Sequence, residues 1–132
     1  MGLIIDTCIF IKVEREKSLI DFNRWSANGI AYLSTISISE LLLGVHRADT
    51  EARKLKRSAF VESIIAAFPI LDYNREVARI HAEISHYLLE NKQIIGAHDL
   101  LIAATALRNG CAVLTTNAQK FNRVPGLQVL AP

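Results

Sequence analysis

Leu3-Ile4-Ile5-Asp6-Thr7-Cys8-Ile9-Phe10-Ile11, near the start of the 132-residue chain, runs from three apolar residues through an acid and a hydroxyl back to apolar residues. The first three suit a strand covered on both faces, and Asp6-Thr7 suits the start of a helix. The pattern recurs along the chain: Glu40 comes soon after the strand-like Ile30 to Leu33, and Asn117 follows Ala112 to Thr115. Asp99 opens a further apolar helix. In an open α/β sheet, ligands bind outside the carboxyl ends of the strands, so these four polar side chains can converge on one point. Converging carboxylates repel unless a cation sits between them.

Outward from that start, the spacing predicts a helix from about Ser18 to Ala27, with Leu19, Ile20, Phe22 and Trp25 inward and Asn28-Gly29 closing it. Ser37 or Ser39 is expected to cap the next helix, whose Ile38, Leu41, Leu42 and Val45 form one apolar stripe. A long helix from about Thr50 to Phe68 ends at Pro69, and Ile70-Leu71 makes a brief strand. Asn74 caps another long helix with Val77, Ile80, Ile84, Tyr87 and Leu88 inward, ending at Asn91-Lys92. After a loop from Gln93 to His98 come a helix through Leu107 stopped by Asn109-Gly110, a strand at Ala112 to Thr115, a short helix at Ala118 to Phe121 and a strand at Leu127 to Leu130. Alternating strands and helices predict one α/β domain over residues 1–132, with a mostly parallel sheet of four to five strands and helices on both faces.

Composition agrees with a globular domain: 51% of residues are apolar and 21% charged. The longest apolar stretch, Ile64 to Leu71, is broken by Pro69 and too short to span a membrane. The first residues lack the pattern of a signal peptide, and Cys8 and Cys111 have neither metal-ligand spacing nor scaffold density, so a reduced, cytoplasmic setting is expected. A net charge of +2 permits nucleic acid without requiring it; Arg47, Arg53, Lys54, Lys56 and Arg57 could track phosphates or simply form a solvated helix face.

Taken singly, each polar candidate has a structural explanation. Asp6 and Asp99 could be helix N-caps, Glu40 a solvated helix flank and Asn117 a turn residue. Gly44, one turn beyond Glu40, costs about 1 kcal/mol relative to Ala inside a helix and calls for a packing or functional reason. His81 and His86, five apart on one helix, point in different directions, and His46 could flank a groove. His98 stands beside Asp99, where it could orient that acid or touch RNA.

Taken together, LIIDTCIFI, STISISELLLGV, AHDLLIAATAL and VLTTNAQKFNRVPGLQV, in this order over nearly the whole chain, resemble the PIN-domain nucleases, most closely the VapC-type toxins of bacterial toxin–antitoxin pairs. The resemblance implies a three-layer PIN-like fold and a metal-dependent endoribonuclease that cuts tRNA or rRNA loops to leave 5′-phosphate and 3′-hydroxyl ends. It implies that Asp6, Glu40 and Asp99 bind Mg²⁺ or Mn²⁺, with Asn117 at a fourth position often held by Asp and the Thr115 hydroxyl supporting the ligands. Lys120 stands where relatives often carry an acid, which counts against a tightly held second metal. A VapB-like antitoxin is expected to wrap a groove made by roughly Lys12 to Ala27 and Ile38 to Phe60, with Phe10, Ile11 and Val13 as candidate contacts and an inserted Arg as a plug. A homodimer is implied too, as is possible assembly into a larger toxin–antitoxin complex. Two other readings stay open: a phospho-acceptor receiver module, and a PIN-like domain that binds RNA or protein without cutting.

Overall fold

The computed structural model describes residues 2–17 and 21–132, which form five strands and six α-helices. The strands are β1 (Gly2–Ile5), β2 (Ile30–Ser34), β3 (Ile70–Leu71), β4 (Cys111–Leu114) and β5 (Val129–Leu130). They make one sheet in the order β3-β2-β1-β4-β5, and every neighbouring pair is parallel. The first strand is therefore the central one, with Ile5 paired to Leu114 and Ile4 to both Tyr32 and Val113. Gly2 is needed at the edge of this pairing, because a Cβ there would come within 2.7 Å of the Tyr32 ring.

The helices are α1 (Thr7–Glu16), α2 (Thr35–His46), α3 (Glu51–Ala67), α4 (Arg75–Glu90), α5 (Ala97–Arg108) and α6 (Ala118–Phe121). Alternation along the strands divides the core in two, as the pleat requires. Leu3, Ile5, Ala112 and Leu114 pack with Ile9 of α1, Leu41 and Val45 of α2 and Val61 and Ile64 of α3. Ile4, Cys111 and Val113 pack on the other face with Val77 and Ile84 of α4, Ile102 of α5 and Phe121 of α6. This is the three-layer arrangement expected, with an all-parallel sheet. No helix among the described residues is long and apolar enough to cross a membrane.

Local details differ from the sequence reading. The segment expected as a helix from Ser18 is a 3-10 helix, Phe22–Asn28, kinked at Trp25 so that the indole turns into the core beside Phe22. Leu19 and Ile20, expected inward, lie outside the described residues. Ser34, rather than Ser37 or Ser39, caps α2: strand passes to helix without a loop, and Ser34 Oγ accepts from Ser37 N at 3.1 Å. Tyr87 is 42% exposed, rotated off the buried stripe of Val77, Ile84 and Leu88. Asp99 is not the cap of α5; Gly96 holds that position, and Asp99 lies within the first turn. Phe10 is a core residue, edge-on to Phe68, and so does not face a partner.

Candidate active site

Asp6 is the N-cap of α1 and sits where β1 ends, 3% exposed. Capping and a role in a site coexist on its carboxylate. Oδ1 accepts from Thr7 N at 2.8 Å, while Oδ2 accepts from the Thr115 hydroxyl at 2.8 Å and from the Cys8 thiol at 3.1 Å. Asn117 N donates in turn to Thr115 Oγ1 at 2.9 Å, tying the start of α6 to the same point. Three donors on a buried carboxylate fix its direction and favour its charged form.

Thr7 links Asp6 to the second acid. Its hydroxyl donates to Glu40 Oε1 at 2.8 Å, across 33 residues of sequence. The other Glu40 oxygen faces His98 Nδ1 at 3.4 Å, so the close partner of His98 is Glu40 and not its neighbour Asp99. Asp99 Oδ2 lies against Gly96, where an added Cβ would come within 3.2 Å. Burial pushes the Asp99 carboxyl above its ordinary value of 3.8, and the charge of Asp6 pushes the same way; Lys120 and His98 pull it back. Asp99 and Asp6 thus feel each other across the site. Asn117 is exposed and its side chain caps nothing, which leaves its amide free.

The structure therefore brings Asp6, Glu40, Asp99, Thr115, Asn117 and His98 to one edge of the sheet. His81 instead packs edge-on against Tyr73, and His86 is exposed on the same helix.

Beside Glu40 a cleft of about 320 Å³ opens between α1, α2 and α3, lined by Ile11, Glu14, Gly44 and Arg57 among others. Arg57 crosses it, donating to Glu14 Oε1 at 3.1 Å and to the Gly44 carbonyl at 3.0 Å. A second cleft, of about 670 Å³, continues past Val13, Lys17, Arg53, Lys56 and Phe60.

A family model for the PIN domain matches residues 3–127. Ribonuclease VapC1 of Rickettsia felis is 44% identical over 130 residues, covering 98% of this chain and 96% of that protein. The chain belongs to the VapC branch of the PIN-domain family. The tRNA(fMet)-specific endonuclease VapC of Salmonella typhimurium is 31% identical over 94% of this chain and 91% of its own length. The crystal structure of DNA-bound VapBC from Salmonella typhimurium matches this VapC fold with a TM-score of 0.82 at 27% identity, covering 99% of this chain and 98% of that one.

Two contacts in this VapC-type site escaped the sequence reading: the Thr7 hydroxyl on Glu40 and the Cys8 thiol on Asp6. Both residues directly follow the first acid in the opening turn of α1, and that adjacency was the available signal.

Proposed function

We propose that the chain is a VapC-type ribonuclease toxin, an Mg²⁺- or Mn²⁺-dependent endoribonuclease that hydrolyses phosphodiester bonds in structured RNA and so inhibits translation. The observation that carries this reading is the coupling of three acids from separate elements, Asp6 to Glu40 through Thr7 and Asp6 to Asp99 through their charges.

The donor set fits a hard divalent ion. Carboxylate, hydroxyl and amide oxygens suit Mg²⁺ or Mn²⁺ and are a poor match for zinc. Among the described residues no three of His, Cys, Asp and Glu stand close enough to enclose an ion. Such spacing suits a cation that keeps several waters and takes only one or two carboxylates directly. When bound, the ion lowers the pKa of a water and neutralises charge building on the phosphate.

The side chains divide the remaining tasks. Asp6, locked by Thr7, Cys8 and Thr115, holds the ion together with Asp99. Glu40, steadied by Thr7 and His98, serves as a further ligand or orients the attacking water. The free Asn117 amide holds solvent or RNA beside them. Attack by water leaves a 5′-phosphate and a 3′-hydroxyl. The name of the Salmonella relative supports tRNA as the kind of RNA cut, with an rRNA loop as the other family-level target.

A VapB-like antitoxin occupies the two clefts of α1, α2 and α3 in this reading, supported by the VapBC assembly of the Salmonella structure. Ile11, 44% exposed, and the half-buried Val13 line these clefts, and an antitoxin Arg reaching Glu40 would block the site. The toxin pairs as a homodimer.

The test is cleavage of total cellular RNA by the purified chain in EDTA, Mg²⁺ or Mn²⁺, beside Asp6→Asn, with the ends of each product mapped. Discrete cuts that need metal, carry 5′-phosphates and vanish in the variant are expected. Cyclic phosphate ends would mean attack by the RNA's own 2′-oxygen and would overturn the mechanism. Binding of RNA without cleavage, unchanged by Asp6→Asn, would leave a binding module.

A further inference from the structure

Lys120 lies on α6, whose first residues are tied to the acidic centre by the relay from Asn117 N through Thr115 to Asp6. It lines a cleft of about 300 Å³ with Thr116, Asn117 and Gln119, beside the end of β4. The ion pairs among the described residues are Arg53 with Asp49, Arg57 with Glu14 and His98 with Glu40, and none engages Lys120. Its charge nonetheless reaches Asp99, which it pulls toward the ionised form. Asp6, Glu40 and Asp99 carry three negative charges and Lys120 returns one positive charge. One divalent ion balances the remainder, and a second would leave the site strongly positive.

We propose that Lys120 restricts this site to a single divalent ion, its ammonium supplying the positive charge that a second ion would otherwise bring. The inference rests on the metal-dependent reading of the same acids. Lys120 is an exposed side chain, so replacing it leaves the core intact.

The experiment is Mn²⁺ binding to the purified full chain without RNA, followed by calorimetry and by the paramagnetic signal of the bound ion. The expected result is one Mn²⁺ per chain, lost in Asp6→Asn. Lys120→Met should tighten that ion by about tenfold, the worth of a unit charge facing a divalent ion across a few ångströms of hydrated cleft. Lys120→Glu should bind two ions, with the magnetic coupling of a close pair, whereas Gln119→Glu, which adds an acid but keeps Lys120, should still bind one. Two ions in the unaltered chain, none at all, or one ion in Lys120→Glu would each overturn the proposal. One ion bound in a chain that cuts no RNA would instead overturn the nuclease reading and leave this inference standing.

Discussion

Asp99 is held by the fold against its own preference. Its carboxyl is raised above 3.8 by burial and by the charge of Asp6, so the folded chain binds a proton there more tightly than the unfolded chain does. A raised carboxyl contributes its stability below the unfolded value and loses it as pH rises through the folded one. Asp99→Asn should therefore melt higher than the parent at neutral pH in EDTA, with the gap closing as pH falls toward 3.8, while RNA cleavage drops at least about 100-fold. Equal melting temperatures across that range would show that Asp99 is not strained. The acids themselves were legible in the sequence, because a carboxylate just past an apolar run marks a strand end. Their partners were not. Thr7 meets Glu40 across 33 residues and Thr115 meets Asp6 across 109, distances over which spacing carries no signal. His98 was expected beside Asp99 and reaches Glu40 instead, because neighbours in the first turn of a helix point in different directions.

At the level of elements, α2 carries both an acid of the site and a helix-interior glycine. A Cβ on Gly44 would meet nothing within 4 Å, so packing does not demand the glycine. Its bareness opens the cleft beside Glu40, where its carbonyl holds Arg57. Gly44→Ala should stabilise the isolated chain by about 0.5–1 kcal/mol in urea unfolding, the usual gain in helix propensity. The same change should weaken capture of an antitoxin helix, which competition binding would show; an unstable variant would mean that Gly44 serves the fold. Long helices with apolar stripes and turn-forming ends were readable from the sequence, as the caps Thr50 and Asn74 illustrate. Two kinds of detail were not. Ser34 and Gly96 became caps because the connections before them were shorter than the sequence implied, and the 3-10 helix exists because Trp25 must turn inward over a short span.

For the molecule as a whole, the acids set stability against readiness. With no cation between them, Asp6 and Asp99 repel, and an ion that binds only the folded chain pulls the unfolding equilibrium toward the folded form. Mg²⁺ at 100 times its dissociation constant should add about 2.7 kcal/mol, read as a rise in melting temperature that Asp6→Asn abolishes. No rise in the parent chain would argue against a metal in this site. The five-strand architecture was legible from alternating strands and helices, yet the strand order was not, since nothing local states that the first strand lies in the middle. That order governs when the toxin becomes dangerous. Asp6 is among the first residues to leave the ribosome, but its strand is flanked by β4 and its carboxylate is fixed by Thr115. Domains emerge from their N-terminal end during synthesis, so an incomplete chain lacks the last supports of its own catalytic centre. A cell making this protein is thus spared its activity until translation of the message is nearly finished, an interval in which an antitoxin made alongside it can already be waiting.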